Sequence, residues 1–198
     1  VATYNTNKTL ARTPVTTILM LMRDTDVLAI QEHGVRTEKA AWVASIRRQL
    51  RKYSYEIRFT NHTAIVYDEI ALQGQAEWLT NQDTPDGRSQ AMRVRTGRGR
   101  SITIIAEYSV VTGGRVKERE EHRRQLRKRL DSIMKHNNDS IILMGDLQDT
   151  LTKAETDTVN CKPMPIYPQT AKSNHSTITI EIVPKMVLGS ALLACIGD

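Results

Sequence analysis

Apolar and polar positions along this chain follow two rhythms. One alternates with period two and the other recurs every three to four residues, and together they predict a mixture of short strands and helices. VATYN (residues 1–5) reads as a short strand. Thr13 followed by Pro14 has the form of a helix start, and Val15, Ile18, Leu19 and Met22 follow at helical spacing as its buried stripe. Asp24 and Thr25 break that stripe. Residues 27–30 are apolar throughout and predict a buried strand that runs into Gln31 and Glu32. A second helix is expected over 38–52, with Val43, Ile46 and Leu50 on one side. Residues 55–59 and 63–67 predict neighbouring strands. NQDTPDG (81–87) is a loop by composition. Residues 90–95 and 101–108 predict a hairpin around a Gly/Arg loop at 96–100. After Gly113 and Gly114 a long helix is expected over 115–135, with Leu126, Leu130, Ile133 and Met134 along one stripe. Residues 140–144 form a further apolar strand. Some 25 residues with little pattern follow, including Pro163, Pro165 and Pro168, and 177–183 alternates as a last strand.

Helices and strands are therefore mixed without strict alternation, which predicts an α/β fold containing hairpins. Residues 5–12, NTNKTLAR, contain no glycine, so a dinucleotide-binding or P-loop reading fails where its glycine-rich turn should stand. The 198 residues suffice for one domain with a real core. An apolar fraction of 39% and a charged fraction of 25% are ordinary for such a domain. The chain opens on Val1, which suggests that it is cut from a longer product, and no signal peptide opens it. The apolar tail MVLGSALLACIGD is too short to cross a membrane as a helix, so no membrane partner is expected. Cys161 and Cys195 lie in no metal-binding or disulfide pattern, and an intracellular setting, nuclear or cytoplasmic, is the expectation.

Charge sharpens the picture. The net charge is +6, and it is clustered. Arg88, Arg93, Arg95, Arg98 and Arg100 fall within thirteen residues, which suits a partner carrying phosphates. Arg115, Lys117, Arg119, Arg123, Arg124, Arg127, Lys128 and Arg129 fall within fifteen, but Glu118, Glu120 and Glu121 are interleaved, so a solvated helix face explains that run as well.

Two apolar strands end alike: DVLAIQE delivers Glu32, and IILMGDLQ delivers Asp146. A carboxylate at a buried strand's tip is a natural ligand for a hard cation that also binds substrate phosphate. Gly145 lets a ligand or a backbone approach closely. Either carboxylate alone could be no more than the polar end of a strand. Histidines 33, 62, 122 and 136 read as solvated loop or helix residues, Trp42 and Trp78 as packing groups, and Tyr108 alone as an ordinary strand tyrosine.

Asn5 in VATYNTN, Glu32 in LAIQEHG, Tyr108 in ITIIAEYSVV, Asp146 in ILMGDLQ and His175 in KSNHSTITIEI occur in the order seen in the endonuclease/exonuclease/phosphatase superfamily. The chain resembles that superfamily over residues 1–183, with 184–198 left as a tail. TAIVYDE (63–69) and DGRSQAMRVR (86–95) resemble its central strands, and IQEHG and GDLQDT resemble its retroelement branch most. The resemblance implies two packed mixed β-sheets flanked by helices, a four-layer α/β/β/α sandwich. It implies a phosphodiesterase dependent on Mg2+ or Mn2+, with no small-molecule cofactor beyond the metal, acting on DNA, with RNA as the alternative. Glu32 would be the principal metal ligand with Asn5 beside it. Asp146 would position or activate the attacking water, Gln148 and Tyr108 would contact the phosphate, and His175 would stabilise the transition state or carry a proton.

Three departures bear on activity. Gln148 stands where asparagine is usual. The closing Ser-Asp-His motif reads Ser173-Asn174-His175, so a neutral amide replaces a carboxylate. Only residues 149–172 separate the last two motifs, and they contain no strand bearing an aspartate to orient the histidine, so a strand near the C terminus is expected to be missing. A DNA endonuclease of retroelement type is one reading. A degenerate relative that binds nucleic acid without turnover is another, and a lipid or sugar-phosphate phosphatase is a third.

Overall fold

The computed structural model describes residues 1–96, 99–109, 116–136, 140–146 and 178–181. Among the described residues nine strands form two sheets. The first has the order β1-β2-β4-β3, with β1 (Ala2–Asn5) parallel to β2 (Val27–Gln31) and with β4 (Thr63–Asp68) antiparallel to both β2 and β3 (Tyr55–Phe59). In the second, β5 (Ala76–Trp78), β6 (Ser89–Thr96) and β7 (Arg100–Tyr108) run antiparallel in turn. There β8 (Ser140–Asp146) lies parallel to β7, and β9 (Ile178–Glu181) closes the order antiparallel to β8. Each parallel pair is joined through a helix, because parallel neighbours need a crossover. The helix α1 (Pro14–Leu21) links β1 to β2, and α3 (Val116–His136) links β7 to β8.

Side-chain alternation sets the layers. Leu28, Ile30, Ile57, Phe59 and Val66 leave the first sheet on its outer face. They meet Ile18 and Met22 beside α1, and Val43, Ile46 and Leu50 on α2 (Ala40–Arg51). The opposite faces supply the inter-sheet layer: Val27, Ala29, Ile65 and Tyr67 against Met92, Val94, Ile104, Ala106 and Met144. Each aliphatic side chain buried there contributes about 1.5–3 kcal/mol. α3 covers the outer face of the second sheet, where Leu130 and Ile133 are buried. The arrangement is the expected four-layer sandwich.

The helical and strand periodicities place most elements within two residues of expectation. β5 is the exception. It is three residues long with no alternating run, and it exists because it pairs with β6. Its Trp78 tilts against Tyr67 at 5.5 Å between ring centroids and carries the Arg58 guanidinium over its ring. Thr13 stands at the N-cap of α1 but makes no side-chain capping bond; its hydroxyl lies 3.2 Å from that of Thr17. Residues 147–177 and the tail 184–198 lie outside the described residues.

Two histidines depart from the solvated reading. His33 is fully buried. Its Nδ1 accepts the Val35 N–H at 2.9 Å, and its Nε2 donates to the Thr60 carbonyl at 2.9 Å. His122 turns inward from α3 and meets the buried Glu107 carboxylate at 2.6 Å. Arg129, on the same side of α3, is bonded to Ser89. The solvated face of α3 carries Lys117, Glu118, Arg124, Arg127 and Lys128, so the helix's charge run is split between water and a buried polar seam.

Candidate functional site

At one end the inter-sheet layer stops being apolar. The alternation that turns Ala29, Ile65, Met92 and Ala106 inward also turns Gln31, Thr63, Gln90 and Tyr108 inward, one step nearer the strand ends. Gln31, Thr63 and Gln90 are fully buried, and Gln90 Nε2 donates to the Thr63 hydroxyl at 3.2 Å across the two sheets. Among the described residues Gln31 Nε2 and Gln90 Oε1 find no hydrogen-bond partner. Buried amides left partly unsatisfied are costly, and they mark this end of the sandwich as built for something other than packing.

Glu32 is the first residue beyond β2. Its backbone is left-handed, with φ 48°, a conformation that costs a non-glycine residue about 1–2 kcal/mol. Three hydrogen bonds hold it there. Its N–H donates to the His62 carbonyl at 2.9 Å, and its own carbonyl accepts from the Lys8 N–H at 2.6 Å and the Thr6 hydroxyl at 2.8 Å. Strain of this kind persists where the surroundings over-determine it, and it concentrates at functional sites. The parallel register of β1 and β2 brings Asn5 alongside, and Asn5 Nδ2 donates to Glu32 Oε1 at 3.2 Å. A carboxylate and an amide held together at a strand tip are hard oxygen donors that fit Mg2+ or Mn2+. Among the described residues no group of three or more His, Cys, Asp and Glu comes together as a metal cluster.

Tyr108 ends β7, and its register partner is Asp146 at the end of β8. The main chain therefore sets Asp146 at the same end of the sandwich; its side chain lies outside those described. Gly145 sits so close to β7 that a Cβ there would lie 1.9 Å from the Glu107 carbonyl, so the close approach is that of a neighbouring strand. Arg88 packs its guanidinium over the Tyr108 ring at 5.1 Å, donates to the Ser109 carbonyl at 3.2 Å and pairs with Asp86 at 3.4 Å.

His62 belongs to this site. Its ring stacks on Tyr108 at 5.7 Å between centroids with 27° between planes. Its carbonyl holds Glu32 and its N–H donates to the Gly87 carbonyl at 3.1 Å. Burial lowers its pKa, the Arg88 charge lowers it further, and Asp86 and Glu32 only partly oppose them. The antiparallel register pairs Gln31 with Thr63, so the next residue out on each strand, Glu32 and His62, must face one another. That pairing is the signal that finds His62, and no periodicity within either strand contains it.

The arginines of 88–100 separate along β6. Arg88 stands at the site. β6 then runs away from it, with Thr96 opposite Arg100 at the far end, about 24 Å off at the usual rise per residue. Arg95 there is exposed and pairs with Glu77 at 3.2 Å, and Arg100 is exposed. Arg93 lies between the two ends. Arg98, Gln148, Asn174 and His175 fall outside the described residues.

No family model matches the sequence, and no curated protein matches it. Solved structures do match. Truncated TDP2 of Caenorhabditis elegans superposes with a TM-score of 0.52 at 16% identity, over 75% of this chain and 61% of that one. The 3' phosphatase NExo from Neisseria, bound to product DNA hairpin, gives 0.52 at 18% identity over 77% and 59%. ANGEL2, a 2',3'-cyclic phosphatase, gives 0.51 at 16% over 74% and 51%. The chain therefore shares the fold of these three proteins, two packed sheets flanked by helices. This chain spans less than two thirds of each of those three. The superfamily-like motif residues Asn5, Glu32, Tyr108 and Asp146 stand at strand ends on one side of the sandwich.

Proposed function

We propose that this chain is a divalent-metal-dependent phosphodiesterase acting on nucleic acid, a DNA endonuclease of retroelement type that hydrolyses its substrate by in-line attack of water. The observation that carries this reading is the meeting of the strained, hydrogen-bonded Glu32–Asn5 pair with Tyr108, His62 and Arg88 where the apolar layer ends. The shared fold supports it, since NExo is a 3' phosphatase bound to product DNA and ANGEL2 a 2',3'-cyclic phosphatase.

Glu32 and Asn5 would hold Mg2+ or Mn2+, which when bound supplies charge neutralisation at the non-bridging phosphate oxygens. Tyr108 donates its hydroxyl proton to a phosphate oxygen, and Arg88 adds positive charge beside it, so that donors fixed in advance meet the charge of the transition state. By motif, Asp146 positions or activates the attacking water, Gln148 contacts the phosphate, and His175, next to Asn174, stabilises the transition state or carries a proton. Supercoiled plasmid incubated with the protein and Mg2+ tests the proposal. Nicking that disappears with EDTA and in Glu32→Ala and Asp146→Ala supports it, and nicking that persists in both variants defeats it. The second reading, binding without turnover, is favoured by the neutral Asn174 and the short 149–172 segment. It predicts salt-sensitive DNA binding with no nicking by the wild type.

A further inference from the structure

We propose that His62 is a stacking platform for an unpaired nucleobase next to the scissile phosphate, so that the site takes single-stranded or frayed nucleic acid. The inference rests on the phosphoesterase reading and names the substrate class of that site. The main chain of His62 serves Glu32 and Gly87, yet its imidazole makes no hydrogen bond among the described residues. One imidazole face is covered by the Tyr108 ring at 5.7 Å. Tyr108 is only 6% exposed, whereas His62 is partly exposed, so the accessible part of this two-ring stack is the imidazole at the mouth. The main chain that carries the platform is held. Its N–H is tied to the Gly87 carbonyl at 3.1 Å, and the Thr60 hydroxyl donates to that same carbonyl at 2.7 Å. Lys8 and Arg88 lie near enough for their charges to act on the imidazole, as do the Asp86 and Glu32 carboxylates, of which Asp86 is paired with Arg88 at 3.4 Å and Glu32 accepts from Asn5 at 3.2 Å. Arg88, whose guanidinium packs over the Tyr108 ring of the same stack at 5.1 Å, is placed for a phosphate beside a stacked base. An aromatic face with a cation beside it is how proteins hold unpaired nucleotides, because every base offers a π-face and every linkage a charge. A lipid headgroup or sugar phosphate would use the cations and leave the ring idle.

The test compares binding of a fluorescein-labelled thymidine decamer with that of an abasic deoxyribose-phosphate decamer of equal charge, by anisotropy in EDTA so that no turnover intervenes. The wild type should prefer the thymidine decamer. His62→Ala should lose about 5- to 150-fold on it and nothing on the abasic chain. His62→Phe, which keeps an aromatic face, should retain the preference. Equal binding of both decamers by the wild type, an equal loss on both in His62→Ala, or tighter binding of inositol hexakisphosphate than of thymidine decamer would each overturn the proposal. The plasmid assay is read separately. Base-dependent binding without nicking leaves the platform standing and defeats the hydrolytic reading, and nicking without base preference does the reverse.

Discussion

Gly87 ties the site to the stability of the whole. Its backbone is left-handed, with φ 71°, and a Cβ added there would lie 2.5 Å from the Asn61 nitrogen and 2.9 Å from the Asn61 Cβ. Gly74 has nearly the same backbone, φ 69°, with nothing within 4 Å of the added carbon. The two glycine-to-alanine changes therefore share the left-handed strain of about 1–2 kcal/mol. They also share the opposing gain of about 0.4–1 kcal/mol from a stiffer unfolded chain. Gly74→Ala should cost about 1 kcal/mol. Gly87→Ala adds a clash against backbone that cannot rotate away, worth about 1–3 kcal/mol on the scale of overpacked interiors. Its total is about 2–4 kcal/mol. For a domain this size each kcal/mol lowers the melting temperature by about 2–4 °C, so circular-dichroism melts should separate the variants by several degrees. Urea midpoints at constant slope should agree. Relief of the clash moves the Gly87 carbonyl off the His62 N–H and the Thr60 hydroxyl, so metal-dependent activity should fall in Gly87→Ala and hold in Gly74→Ala. Equal destabilisation by the two changes would refute the contact on which this reasoning stands.

Three further outcomes are expected. Glu32→Asn puts a residue tolerant of left-handed backbone at φ 48°; stability should hold or rise by up to about 1 kcal/mol while Mg2+ binding by calorimetry is lost. His33 is buried and neutral, with its pKa lowered by burial from 6.5 to about 4. The unfolded chain therefore takes up a proton that the folded chain refuses, and stability falls as pH drops through that window, by up to about 3 kcal/mol. Urea midpoints from pH 7 to pH 4 should show that slope, and His33→Asn should flatten it whatever its effect at neutral pH. Arg88→Ala should weaken DNA binding and reduce the slope of log affinity against log salt by about 0.7–0.9, whereas Arg100→Ala at the far end of the sheet should leave the slope of a short oligonucleotide unchanged.

Strand and helix positions were legible because burial imposes a period on each element. The alternating or continuous apolar runs of β2, β4, β7 and β8 and the stripe of α2 declare themselves within a few residues of sequence. The tips that carry Glu32 and Asp146 were legible as a pair, since a strand that ends in a carboxylate is a local event, whereas Asn5 and Tyr108 stood out only through the resemblance of their motifs to a known superfamily. β5 was not legible, because three residues without alternation become a strand only when β6 lies beside them. The histidines were misread for a related reason. Exposure belongs to the packed molecule, and a loop position in sequence can be the inside of the fold, as His33 is, or the inward face of a charged helix, as His122 is.

The sequence by itself determined the order of the elements and their buried faces, and its motifs, by resemblance, pointed to the sandwich and to the strand-end residues of the candidate site. Only the tertiary structure decided which of these meet. The pairing of β2 with β4 sets His62 against Glu32, the antiparallel course of β6 leaves Arg88 at the site and carries Arg95 and Arg100 away from it, and the packing of the two sheets joins Gln90 to Thr63. Periodicity is written by each residue's own exposure, whereas register and neighbourhood arise between segments distant in sequence, through hydrogen bonds that carry no mark in the local pattern.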